Sequence, residues 1–187
     1  MFTFTLFLSL WARIFTPMPD PGVPLIADTS NGNDFAAQVV WSESRRLTWE
    51  DFKALPDNDN PHHALTAANL AVNAKCKDGK FTYIVNCVFL PEQSWTKNNS
   101  SEKLLAHEQL HFDLTEVHAR QLRRDLEALS CGTLKASLNP TVANAFKNWK
   151  AEQDAFDKAC RHGLDKQEQL LWAQDITQRL HSLEMYR

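Results

Sequence analysis

His107-Glu108-Gln109-Leu110-His111 puts two imidazoles and a carboxylate within five residues. On a helix, residues four apart project from the same face, so His107 and His111 can reach one ion. Zinc takes imidazole nitrogen well, and a catalytic zinc has three protein ligands and one open position. Glu108, beside them, is placed to take a proton from a water that the metal activates. It would then act as general base and later proton shuttle. Five residues alone can match this pattern by chance, so the surrounding elements must support it.

Those elements also limit the choice of a third ligand. Ser100 or Ser101 can cap a helix running to about Leu129, with Gly132 close behind. His118 shares the face of His111 but lies roughly 10 Å further along the axis. Glu116 points about 140° away from His111, and Glu127 is roughly 24 Å further along. A second helix is expected from Asn139-Pro140, where an early proline costs little, to Gly163. Phe146, Trp149 and Phe156 form its apolar stripe. After a short connection it returns antiparallel, and its last turn comes level with His107. His162 is then the best-placed third metal ligand; the plainer reading is a histidine favoured at a helix C-terminus. Asp157, just over one turn earlier, either orients a ligating imidazole or is a solvated acid. His62 and His63 read as surface residues of a polar loop that could still enter the cleft. His181 reads as a surface residue and His118 as a partly buried one. Tyr83 would serve an oxyanion only if the sheet rim borders the cleft.

The first half of the chain has a different period. Gln38–Trp41 reads as a short strand and Leu47–Leu55 as a short helix, before the polar loop Pro56–Pro61. Thr66–Lys75 alternates as a half-exposed strand, while Phe81–Leu90 is apolar on both faces and stops at Pro91. Asp78-Gly79 between them is a hairpin signal. With those two as turn residues, Cys76 faces Phe81 and Cys87 faces Leu70. A third helix is expected from Asp165 to about Leu183. The plan is α+β: one small, partly antiparallel sheet followed by three helices.

The 187 residues suit one domain with a sizeable core. A net charge of -3 gives no reason to expect nucleic acid as a partner. Residues 1–35 divide from the rest. Residues 2–12 are uncharged and rich in Phe and Leu, like the apolar part of a secretory signal or anchor, though without a basic start. A buried strand and a mis-assigned start are the alternatives. The stretch from Pro17 to Asp34 is an irregular, Pro- and Gly-containing lead-in, so the folded domain is expected to span residues 36–187. Four cysteines suit an extracellular chain. The hairpin register separates Cys76 from Cys87, and the helix lengths separate Cys131 from Cys160. A disulfide then requires a pairing such as Cys76 or Cys87 with Cys160, and four reduced cysteines are the alternative.

Three segments together resemble a bacterial family regarded as secreted zinc-dependent proteases with a compact zincin-like fold. They are Leu47-Thr48-Trp49-Glu50-Asp51-Phe52 with Ala64-Leu65-Thr66, then Leu104 through Glu116, and then Phe156 through Gly163 followed by Gln167 and Trp172. The likeness spans about residues 38–185, and the His107–His111 motif is its most specific part. The resemblance implies hydrolysis of a peptide or protein substrate and export, to the periplasm or beyond; the apolar residues 2–12 leave membrane association through the N-terminus as a variant. It implies zinc held by His107 and His111, catalysis by Glu108, and a role for the His162-Gly163 segment. The family pattern has Glu-Thr where this chain has Ala159-Cys160. Two other functions would use the same residues: a catalytically inactive zincin-fold binding module, and a zinc-dependent amidase acting on the cell wall.

Overall fold

The computed structural model describes residues 38–187. The apolar start, the irregular lead-in and the expected domain start at residue 36 lie outside them. In chain order the strands are β1 (Val39–Val40), β2 (Ala64–Leu65), β3 (Ala68–Lys77), β4 (Lys80–Phe89) and β5 (Trp95–Thr96). The helices α1 (Glu102–Glu127), α2 (Cys131–Cys160) and α3 (Lys166–Ser182) follow. The class is α+β, with small antiparallel sheets preceding three helices.

The hairpin has the register that its turn dictates. Asp78 and Gly79 both take positive φ, 52° and 73°, as a two-residue turn of this hand requires. Cys76 then stands opposite Phe81 and Leu70 opposite Cys87. β1 pairs with the other edge of β4, giving the order β1-β4-β3, antiparallel throughout. The single sheet expected from the sequence is two. Pro91 ends β4 in a 3-10 turn, Pro91–Gln93, and the chain then brings β5 to β2 as a separate antiparallel ladder. The short helix expected over Leu47–Leu55 is one 3-10 turn, Trp49–Asp51, held by reciprocal bonds between Thr48 and Asp51.

α1 is capped by Ser101, whose side chain accepts from the Leu104 amide at 3.2 Å. It lies between two apolar clusters. Phe112, Ala119, Leu122 and Leu126 pack with Leu70, Val85, Phe89 and Trp149; Leu110, Leu114 and Val117 pack with Phe156, Cys160 and Ile176. Every residue from Phe112 to Arg120 is consequently buried, polar ones included. Buried polar groups need partners, and these have them. Asp113 accepts from Trp41 Nε1, Arg46 and Gln109 at 2.8–2.9 Å. Gln109 accepts from the Leu47 amide at 2.7 Å. Glu116 pairs with Arg120 and Arg123, at 3.0 and 2.8 Å. The bonds from Trp41, Arg46 and Leu47 tie the helix carrying the motif to the segment after β1, and Arg120 ties it to the Leu180 carbonyl and Glu184.

α2 corrects two sequence expectations. It begins at Cys131, nine residues before Pro140, so Gly132 and Pro140 lie inside it. Ser130 and Thr133 cap it reciprocally, with the Ser130 amide donating to Thr133 Oγ1 at 3.0 Å. The cap satisfies the Ser130 amide, and Pro140 removes one backbone hydrogen bond further along the helix. The second correction is the disulfide, which joins Cys76 to Cys131, with their Cα atoms 5.7 Å apart. Because α2 starts at Cys131, that residue meets the hairpin end, while Cys87 and Cys160 stay reduced and buried.

Glu152 links all three helices. Its carboxylate meets His118 on α1 at 2.6 Å and Arg179 on α3. Burial raises its pKa, but the hydrogen bonds and charges of His118 and Arg179 outweigh that and bring it from 4.5 down to about 2. A carboxyl depressed in the folded state adds stability above its unfolded pKa and loses it as pH falls through the folded value. Glu152→Gln is therefore expected to cost about 1–3 kcal/mol near pH 7. In thermal denaturation, the gap between wild type and variant should shrink between pH 4.5 and about 2.

Candidate metal centre

α1 and α2 run antiparallel, and their facing side chains meet one turn at a time. His107, His111 and Thr115 form a row at four-residue spacing on α1. Trp149, Gln153 and Asp157 form the matching row on α2. His107 Nε2 and His111 Nε2 each lie 3.1 Å from Asp157 Oδ1 and 3.2 Å from one another. Three donor atoms thus form a nearly equilateral triangle. Ligand atoms around a tetrahedral zinc, with bonds near 2.0–2.1 Å, are roughly 3.3 Å apart. The donor chemistry, two imidazoles and a carboxylate oxygen, also suits zinc, so these residues could hold the ion. All three donors lie within 4.8 Å of one another.

Each imidazole is held from several sides. His107 is almost fully buried, with its ring stacked on Phe156 at 4.6 Å and 21°. Gly163 presses on it from behind. A Cβ at that position would stand 3.2 Å from His107 Cβ and Cγ, and φ there is +80°, so both space and backbone select glycine. His111 is held by Gln153, whose Oε1 lies 2.6 Å from His111 Nδ1. Burial works against protonation of His111. The hydrogen bond and charge of Asp157, with the charge of Glu108, outweigh it and raise its pKa to about 9. Asp157 is held well below the usual carboxylate range, because the bonds from His107 and His111 outweigh its burial.

Glu108 is buried on the side of α1 that faces the loop after β2. The Thr66 hydroxyl donates to its Oε2 at 2.7 Å. No hydrogen bond reaches its Oε1 from the described residues. Leu65 pairs with Trp95 in the short ladder, and that pairing brings the next residue, Thr66, to the motif.

His162 is beside the triangle rather than in it. Because α2 begins nine residues earlier than expected, the residue level with His107 is Asp157, five positions before His162. His162 Nδ1 lies 3.2 Å from Asp157 Oδ1, and its side chain is 54% exposed. Its backbone follows Arg161 into the left-handed region, with φ of 50° and 53°, which ends α2 and turns the chain away. His62 reaches the same place from the polar loop, with ring centroids 4.5 Å from His162. Both line an open cleft of about 620 Å³ with Asp157, Lys158, Arg161 and Leu164. Burial first, then the charge of His162, lowers the His62 pKa.

The other candidates lie elsewhere. His118 is buried against Glu152, and His181 is exposed on α3. Tyr83 sits opposite Ala74 in the hairpin, and the charged groups acting on it are Glu127, Tyr186 and Arg123. Thr66 and Gln153 were not foreseen as site residues. Gln153 could have been found from the Trp149–Gln153–Asp157 spacing, once α2 was known to start at Cys131.

No helix of the described residues is long and apolar enough to cross a membrane. No match was found among curated proteins or among solved structures. A family model matches residues 43–163, about two-thirds of the chain, which takes in Thr66, the His107–His111 motif, Gln153, Asp157 and Gly163. The chain belongs to the bacterial family described as of unknown function, DUF922.

Proposed function

We propose that this protein is an exported zinc-dependent peptidase of zincin-like design, with His107, His111 and Asp157 as metal ligands and Glu108 as general base. The observation that carries the reading is the donor triangle, with sides of 3.1, 3.1 and 3.2 Å. The orientation of His111 adds to it. Gln153 Oε1 is an acceptor only, so Nδ1 carries the proton of its bond. In the neutral ring the Nε2 lone pair then faces the Asp157 carboxylate, an arrangement that asks for a cation between them. A proton on His111 meets that need in the metal-free chain, and a divalent metal meets it better with two imidazoles and a carboxylate in place.

When bound, zinc supplies Lewis-acid chemistry, polarising a carbonyl and lowering the pKa of water. The chain's own groups do the rest. Glu108 takes and returns a proton through Oε1, while Thr66 holds Oε2. His62 and His162 line the cleft, where ring N–H groups can meet a substrate carbonyl. His162, expected from helix length as the third ligand, is in this reading a neighbour of Asp157. Two further features support export and the zincin-like design. The Cys76–Cys131 disulfide suits an oxidising compartment such as the periplasm or the extracellular space. The motif helix packs against an antiparallel sheet.

The test is to load the protein with one equivalent of zinc and incubate it with a mixed-sequence peptide library, with a chelated sample as control. Cleavage is expected in the loaded sample only, read by mass spectrometry. Zinc uptake without cleavage of any peptide would leave a binding module and overturn the peptidase reading.

A further inference from the structure

Gln153 lies on α2 one turn before Asp157, and all of its polar atoms are engaged. Its Nε2 donates to the His111 carbonyl at 3.0 Å and to Thr115 Oγ1 at 3.0 Å. Thr115 itself donates to the His111 carbonyl at 2.8 Å and accepts from Trp149 Nε1 at 3.1 Å. The amide therefore has only one satisfactory orientation. Turned over, its oxygen would face the His111 carbonyl oxygen, acceptor against acceptor, and its NH₂ would face the ring. In the observed orientation Oε1 faces His111 Nδ1 at 2.6 Å and requires a proton there. The choice of His111 tautomer is thus fixed by three side chains on two helices, Trp149, Gln153 and Thr115, together with the His111 carbonyl.

We infer that Gln153 is a positioning residue of the metal site: it locks His111 in the tautomer whose Nε2 points at Asp157 and His107. The inference rests on the metal-site reading above and adds a residue that does not touch the ion. A ligating imidazole whose other nitrogen is held in this way has its orientation and basicity set by that bond. Without the acceptor, His111 could rotate or bear its proton on Nε2, and the triangle would open. His107 has no such support, since its Nδ1 is buried with no hydrogen-bond partner among the described residues. The stack on Phe156 and the contact with Gly163 hold that ring instead. His111 is therefore the ligand whose placement depends on a hydrogen bond.

The experiment compares zinc affinity, by competition with a chromophoric chelator, for wild type, Gln153→Leu and Gln153→Glu. Gln153→Leu keeps similar bulk without an acceptor and is expected to weaken binding about 10–100-fold. Gln153→Glu keeps an acceptor for Nδ1–H but turns its second oxygen on the His111 carbonyl, so it should bind zinc more tightly than Gln153→Leu without reaching wild type. Equal affinity in wild type and Gln153→Leu would overturn the inference, and so would equal weakening in both variants, which would mean packing alone. If Gln153→Leu fails to fold, zinc-loaded wild type decides. Long-range ¹⁵N–¹H correlation spectra should show the His111 proton on Nδ1, and a proton on Nε2 would overturn the inference. A wild-type chain that takes up no zinc would overturn the metal-site reading itself, a result distinct from wild-type binding that Gln153→Leu leaves unchanged.

Discussion

Asp157→Ala is expected to weaken zinc binding by more than about a hundredfold while leaving the fold intact. Removing a group that merely orients a ligand costs about 10–100-fold. Removing the only anionic donor of a three-donor set should cost more. The fold should survive, because α2 is held elsewhere: Trp149 in one apolar cluster, and Phe156 and Cys160 in the other. Chelator competition measures the affinity directly. Thermal denaturation measures it through linkage, since zinc should raise the melting temperature of wild type strongly and of the variant little. The pH dependence carries a second sign. Zinc must displace a proton from His111, whose pKa is raised to about 9 by Asp157 and Glu108 against the effect of burial. Wild-type affinity should therefore climb as pH rises toward about 9. In Asp157→Ala the main raising group is gone, so that climb should end at a lower pH. His162→Ala separates the two possible ligand sets. If it loses zinc while Asp157→Ala retains it, the third ligand is the one the expected helix lengths pointed to.

The motif and the hairpin were legible because their signals are local. Two histidines at i and i+4 share a face wherever a helix forms, and Asp78-Gly79 sets a register by backbone conformation alone. The residue of α2 that stands opposite His107 was not legible, because it depends on where the helix begins. Pro140 reads as a helix start, yet the Ser130–Thr133 cap starts the helix at Cys131. That shift replaces His162 by Asp157 opposite His107, and it also moves Cys131 to its disulfide with Cys76. One misplaced helix start therefore accounts for both the residue opposite His107 and the pairing. Thr66 escaped notice for another reason. Its contact with Glu108 spans 42 residues and depends on the β2–β5 ladder, which is too short to leave a periodic signal. Buried polar residues such as Gln109, Asp113 and Arg120 look like surface residues in sequence, because nothing there reveals that the middle of α1 is covered on all sides.

Glu108→Gln should separate metal binding from catalysis. Hydrolysis of any peptide cleaved by the zinc-loaded protein is expected to fall about 10²–10⁴-fold, the usual contribution of a general base. Zinc affinity should stay within about threefold of wild type, because glutamine has the shape of glutamate and Glu108 is not one of the three converging donors. The Thr66 hydroxyl can still donate to the amide oxygen, so the side chain should keep its place. The variant loses only the capacity to accept a proton, since an amide oxygen is far less basic than a carboxylate. The loss should accordingly appear in kcat, with KM little changed. A variant that binds zinc and cleaves at the wild-type rate would show that Glu108 is not the base. The two substitutions are expected to divide the site: Asp157→Ala removes the ion and with it all activity, whereas Glu108→Gln keeps the ion and loses the proton transfer.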